Sequence, residues 1–209
     1  MRGRILLLAC CLLPAAFCLA GCATPARPAP SDVDYAVGEF SFTERGGRTV
    51  TREDLLGKIW VASFIFTRCS GPCPQITANM ARLQGELAGD DNVALVTFTV
   101  DPRYDTPKVL RAYAARYGAD PQRWLFLTGD QDKLYALIRN SFKSGVEQRQ
   151  GAERTPGNEV LHRTSLYVVD RKGHFRAYFD GRQVDEDGKP IDKLPDVRAK
   201  IAELEREKR

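Results

Sequence analysis

KIWVASFIFTRCSGPCP, residues Lys58 to Pro74, is the stretch whose reading decides the fold. Its first ten residues, through Thr67, form a nearly continuous run of apolar, β-branched and aromatic side chains. Such a run marks a strand buried on both faces. Pro74 suits the first position of a helix, where its missing N–H costs nothing. Ile76, Met80, Leu83 and Leu87 then follow at helical spacing. Cys69 and Cys73 therefore lie where a buried strand hands over to a helix. Open α/β sheets bind their ligands at the carboxyl ends of strands. A cysteine pair at that place is the thioredoxin-like arrangement.

The flanking segments extend the same pattern. Glu39 to Thr43 alternates, Glu44 to Gly47 turns, and Arg48 to Thr51 returns, which predicts a β-hairpin. Asn92 to Asp101 reads as a second buried strand. Thr106-Pro107 starts a helix through about Tyr117, stopped by Gly118. Trp124 to Leu127 is a short strand and Asp132 to Ser141 a helix. His162 to Asp170 reads as a strand that turns at Arg171-Lys172-Gly173 into His174 to Phe179, and Pro195 opens a charged C-terminal helix. Strands alternating with helices predict an α/β fold: a thioredoxin-like central mixed sheet with helices on both faces and an N-terminal β-hairpin, over residues 35–209.

Residues 1–21 read as a signal segment. Arg2 and Arg4 precede an apolar stretch, Ile5 to Ala20, that is short for a transmembrane helix of about 20 residues. It runs into Leu19-Ala20-Gly21-Cys22, a sequence like a bacterial lipobox, which makes Cys22 a lipidation site and the new N-terminus. Several acyl chains on Cys22 exceed the two signals needed for stable anchoring. Residues 22–34 carry TPARPAPS, a Pro- and Ala-rich tether that would hold a domain off the membrane. The expected place is the bacterial cell envelope, with the domain outside the cytoplasm. Without Arg2 and Arg4, 29 basic residues face 27 acidic ones. That balance is no footprint for nucleic acid.

The leader also settles the cysteines. Cys10, Cys11 and Cys18 leave with it and Cys22 carries lipid, so only Cys69 and Cys73 remain in the domain. In an oxidising compartment a lone thiol pair is a disulfide or a metal site. With Pro74 as first helical residue, Cys73 is at the N-cap, where the helix N–H groups and dipole favour a thiolate. A structural disulfide closing so small a loop would contribute little by chain entropy. The three-residue spacer, Ser70-Gly71-Pro72, departs from the two-residue spacer of thioredoxin-type oxidoreductases. A peroxidase reading wants a Pro where Phe66 stands. Asp101, at the end of a buried strand, is either a group that orients a ligand or meets a partner, or a loop carboxylate bonded to nearby N–H groups. Asp105-Thr106-Pro107 reads as a helix start, Arg68 as either a partner for a thiolate or a solvated side chain, and His174 as a surface residue.

Taken together, the chain resembles the Sco/SenC family of thioredoxin-fold copper proteins. Phe64 to Thr67 running into Cys69 and Cys73-Pro74 carry the resemblance, with Thr99-Val100-Asp101-Pro102, Asp105-Thr106-Pro107, and Leu161-His162 leading into Ser165 to Asp170. It covers about Tyr35 to Leu204. It implies that Cys69, Cys73 and His162 bind one copper ion per chain. It also implies a role in assembling the binuclear copper centre of cytochrome c oxidase, with thiol–disulfide chemistry on the partner. The family's usual spacer is Pro, an acidic residue and an aliphatic one, so Ser70-Gly71-Pro72 puts partner choice and redox potential in question.

Donor chemistry agrees with copper. Two soft thiolates select Cu(I), and imidazole suits it too. A closed structural zinc site would want four ligands, not three. The leading expectation is a membrane-tethered copper metallochaperone whose partner is the copper-bearing subunit of cytochrome c oxidase or another copper chaperone. The alternatives are an envelope thiol–disulfide oxidoreductase with Cys69 and Cys73 as redox-active pair, and a copper or redox sensor. His162 separates the first two: copper needs it, dithiol exchange does not.

Overall fold

The computed structural model describes residues 33–181, 184, 186–189 and 191–207. The expected signal segment, the expected lipidation site Cys22 and most of the expected tether lie outside the described residues. A two-residue strand β1 (Tyr35–Ala36) precedes the hairpin β2 (Ser41–Glu44) and β3 (Thr49–Thr51). Then follow β4 (Ile59–Ile65), α1 (Cys73–Glu86), β5 (Val93–Thr99), α2 (Pro107–Arg116), β6 (Trp124–Thr128) and α3 (Gln131–Ser141). The chain closes with β7 (Val146–Gln148), β8 (Val160–His162), β9 (Ser165–Val169), β10 (His174–Asp180) and α4 (Leu194–Arg206).

Eight strands form one mixed sheet in the order β1-β10-β9-β4-β5-β6-β2-β3. Its centre is parallel: β4 pairs with β5, and β5 with β6. β9 adds antiparallel to β4, and β2 antiparallel to β6. β4 and β5 are buried along their whole length. That follows from their unbroken apolar runs, because only a two-face cover removes such strands from water. On one face Trp60, Phe64 and Phe98 meet Phe40, Phe42 and Phe142, the last capping α3. On the other, Tyr113 of α2 sits edge-on to Phe126. The predicted fold class is the observed one.

Local signals set the helix starts. Thr106 caps α2 by accepting from Val109 N–H, and Asp130 caps α3 by accepting from Lys133 N–H. These side chains satisfy donors that a helix terminus leaves unpaired. α1 begins one residue earlier than expected, with Cys73 as its first residue and Pro72 at the cap.

One element differs. The single strand expected from His162 to Asp170 is two. β8 leaves the main sheet and pairs with β7 in a separate two-stranded sheet, Val146 opposite His162. Arg163 and Thr164 form the break, and Thr164 accepts from Gly181 N–H beyond β10. β7 escapes sequence reading because three residues carry too little alternation to register. His162 thus ends a projecting hairpin instead of opening a core strand.

Phe98 is fully buried and touches four other rings, of Phe40, Phe42, Trp60 and Phe64. Phe98→Ala is expected to cost about 3–5 kcal/mol, the usual range for deleting a core ring. Urea denaturation of both proteins measures it. A loss below about 1 kcal/mol would show that this cluster does not hold the sheet to the hairpin.

Candidate functional site

The loop from Phe66 to Pro72 joins β4 to α1 and carries Cys69. Its start is fixed from below by Asp105, which is fully buried. Thr67 N–H donates to Asp105 Oδ2 at 3.1 Å and Thr67 O–H to Oδ1 at 2.5 Å. Thr99 O–H donates to Oδ2 at 2.5 Å and itself accepts from Asp101 N–H. The ends of β4 and β5 are therefore tied through one carboxylate. Burial holds its pKa above the ordinary value, against the lowering effect of these donors. Asp105 is more than a helix start: it positions the cysteine loop.

The two thiols differ sharply. Cys69 is half-buried and Cys73 fully buried. The Cys73 thiol hydrogen-bonds Cys69 and, with the N–H groups of Cys73 and Gly71, lowers the Cys69 pKa to about 6 despite partial burial. The same hydrogen bond, together with burial, pushes Cys73 well above the ordinary thiol range. One proton serves the pair and sits on Cys73. The sequence places Cys73 at the helix start, yet the thiolate so favoured is Cys69, whose sulfur faces that terminus from the loop.

His162 reaches the same place from β8. Its Nε2 lies 3.4 Å from Cys73 Sγ, and its Nδ1 lies 3.0 Å from the Arg163 carbonyl oxygen. A carbonyl only accepts, so Nδ1 carries a hydrogen, and Nε2 is the nitrogen that faces the sulfur. Phe66 packs edge-on to the imidazole at 6.0 Å between centroids. The geometry thus brings together Cys69, Cys73 and His162. Among the described residues no three His, Cys, Asp or Glu side chains stand as a preassembled metal cage.

Arg68 is neither a thiolate partner nor a solvated side chain. Its guanidinium donates to Asp101 Oδ2 at 2.5 Å, meets Glu159 Oε1 at 3.1 Å and lies 4.1 Å over the Tyr104 ring. Asp101 is buried beside the site and held by Arg68. Glu159 precedes His162 by three residues, so Arg68 fastens the cysteine loop to the hairpin that carries the imidazole. A second fastening is Ser70 N–H to the Gly157 carbonyl at 3.0 Å. Gly157 has φ +80°, and a Cβ there would stand 2.5 Å from Ser70 Oγ. Only glycine allows both that backbone and that approach.

Sequence reading missed Glu159, Gly157 and the anchoring by Asp105. Pro156-Gly157 is a turn signal, but nothing in spacing brings that turn onto Ser70. His174 is at the surface as expected, with its Nδ1 2.5 Å from Asp34 Oδ1. Cys22 lies outside the described residues, and no described helix is long and apolar enough to cross a membrane.

The unequal thiols have a direct readout. Below about pH 6 Cys69 is protonated and slow to alkylate; above it the thiolate dominates, while Cys73 keeps its proton. Iodoacetamide should therefore label Cys69 with a midpoint near pH 6. Cys73→Ala removes the S–H donor and should move that midpoint up toward the ordinary thiol value of about 8.5. Rates against pH, with the site assigned by mass spectrometry, decide. An unmoved midpoint would mean that Cys73 does not stabilise the anion.

Known proteins resemble this chain over most of its length. A family model described as SCO1/SenC matches residues 28–195. A SCO1 protein homolog of Bacillus subtilis is 35% identical over 162 residues, covering 77% of this chain and 81% of the homolog. The crystal structure of a SCO1/SenC family lipoprotein from Bacillus anthracis superposes with a TM-score of 0.73 at 29% identity, covering 85% of this chain and 99% of that one. BsSco, a member of the Sco family of cytochrome c oxidase assembly proteins in which a disulfide switch was identified, gives 0.70 at 30% identity, covering 87% and 100%. The buried strand running into Cys69 and Cys73, the imidazole brought to them on β8 and this match over most of the length make the chain a member of the SCO1/SenC family.

Proposed function

We propose that the protein is a membrane-tethered copper metallochaperone, with copper as its cargo and Cys69, Cys73 and His162 as the ligands. The observation that carries this reading is the placement of His162: its Nδ1 lies 3.0 Å from a backbone carbonyl oxygen, and its Nε2 faces Cys73 Sγ at 3.4 Å. A ligating imidazole is oriented in this way. Two thiolates and one imidazole suit Cu(I) and fall short of a closed zinc site. Copper would replace the proton shared by the thiols, since only thiolates ligate well. The Arg68–Glu159 pair and the Ser70–Gly157 bond hold the imidazole to the cysteine loop. Oxidation of the two thiolates by a partner disulfide, which gains the two electrons and becomes two thiolates, would form the Cys69–Cys73 bond and discharge the metal. The partner is the copper-bearing subunit of cytochrome c oxidase or another copper chaperone, in line with the oxidase-assembly role stated for the family of BsSco.

A second reading, thiol–disulfide exchange on a partner's cysteines, is favoured by the low pKa and partial exposure of Cys69. Exchange is fastest for an attacking thiol whose pKa lies near the ambient pH. The two activities are compatible in one site, and His162 separates them. His162→Ala should weaken Cu(I) binding at least as much as loss of a ligand-orienting partner, roughly 10–100-fold, while the disulfide-reduction rate stays close to wild type. Cu(I) competition with a chelator and reduction of a test disulfide, on the same protein, measure both. Unchanged copper affinity would take His162 out of the site and put the oxidoreductase first.

The envelope location rests on the leader. Residues 1–21 are proposed to be removed, and lipid on Cys22 with the 22–34 tether would hold the 35–209 domain outside the cytoplasm. Cys22→Ser should shift the mature protein from the membrane to the soluble fraction or block its processing. Mature Cys22→Ser protein that stays in the membrane fraction would reveal another anchor.

A further inference from the structure

Beyond the thiols and the imidazole, a cavity of about 570 Å³ opens beside the cysteine loop, with Arg68 in its wall. Arg103 and Arg154 line it too, against a single lining carboxylate, Asp101. Asp101 is buried and already engaged by Arg68. Glu159 meets the second arm of the same guanidinium. Arg68 is thus spent on two carboxylates. Arg103 and Arg154 are exposed, and neither makes an ion pair among the described residues. Counting Glu159 as well as Asp101, guanidinium groups still outnumber carboxylates around the cavity. Of the neighbouring arginines, Arg149 pairs with Glu153, and Arg139 donates to the Val146 carbonyl.

Arg154 is also oriented. Its Nη1 donates to Gln148 Oε1 at 2.6 Å, and Gln148 Nε2 donates to the Tyr135 hydroxyl at 2.7 Å. Tyr135 in turn donates to the Val100 carbonyl in the core. A chain of hydrogen bonds thus runs from the interior to an unpaired cation. Guanidinium forks match carboxylates in shape and charge. We propose that this cavity is a carboxylate-binding subsite. It seats an Asp or Glu side chain, or the carboxylate of a small acidic thiol, on the reactant whose sulfur meets Cys69.

The inference rests on the redox reading of the Cys69–Cys73 pair. In the oxidised protein the reactant's thiolate attacks Cys69 Sγ. The Cys69–Cys73 bond breaks, and Cys73 leaves as a thiolate and takes a proton. A mixed disulfide now joins Cys69 to the reactant. A second thiolate of the reactant, or of a second molecule, attacks the reactant's sulfur and frees Cys69. Two thiols are oxidised to one disulfide, and the protein pair gains two electrons and two protons. A carboxylate held by Arg103 and Arg154 raises the rate by steering and holding the reactant, without changing the chemistry.

The test compares reduction rates of the oxidised full chain by cysteine peptides that differ only in Glu against Gln, one to four residues from the cysteine. Mercaptopropionate and mercaptoethanol, with rates corrected for thiolate fraction, form a second arm. The expected result is a roughly three- to tenfold preference for Glu at one spacing, the scale of two exposed ion pairs. It should shrink in high salt. It should vanish in the Arg103→Gln/Arg154→Gln double variant, whose changes are at the surface, while the Gln-peptide rate holds. A preference shared by mercaptopropionate assigns the subsite to free acidic thiols as well; one confined to peptides assigns it to a protein segment. Equal Glu and Gln rates at every spacing, or a preference that survives in the double variant, would overturn the subsite and leave the redox pair standing. Failure of the chain to form a reducible Cys69–Cys73 disulfide would overturn the redox reading first.

Discussion

Everything at the site depends on the buried carboxylate of Asp105. It accepts from Thr67 twice and from Thr99 once, and among the described residues it makes no ion pair. An unpaired carboxylate is costly to bury, and the three donors are what make it tolerable. The reward is placement. The last residues of β4 and β5 are locked together just before the chain turns into the cysteine loop. Were that loop free, the thiols could sample many separations, and the proton they share would have no fixed home.

A fixed loop lets the helix terminus act unequally on two identical groups. Cys69 receives N–H groups and an S–H, while Cys73 keeps its proton and sinks into the core. Asymmetry of this kind suits both uses of the pair. One sulfur is available to an incoming reactant, and the other is sheltered until it is needed. The imidazole then arrives on a separate two-stranded sheet, which leaves it fastened to the loop through one ion pair and one backbone hydrogen bond and not through the main sheet.

How much of this was legible follows from the range of the interactions. The strand–loop–helix around Cys69 and Cys73 is local, and an apolar run followed by Pro74 announces it. The helix caps at Thr106 and Asp130 are local too. His162 was singled out, but its strand was misjudged, because β7 is three residues long and lies well upstream of its partner. Glu159 looked like one acid among 27. Its role exists only because the hairpin folds back on Arg68, a contact spanning some ninety residues of chain that no periodicity encodes. Asp105 was read by its neighbours, Thr106 and Pro107, and so as a helix start; its burial beneath Thr67 depends on the register of β4 against β5.

The contact between Ser70 and Gly157 bears on how the turn of the hairpin can vary. Ser70 N–H donates to the Gly157 carbonyl, and a Cβ at Gly157 would stand 2.5 Å from the Ser70 hydroxyl. The turn has no room for a side chain. The first spacer residue and the turn of the β7–β8 hairpin therefore form one mechanical unit, although 87 positions separate them. A side chain at that turn would lift the hairpin and, with it, the imidazole. The bare backbone at Gly157 thus sets the height at which His162 rides above the thiols.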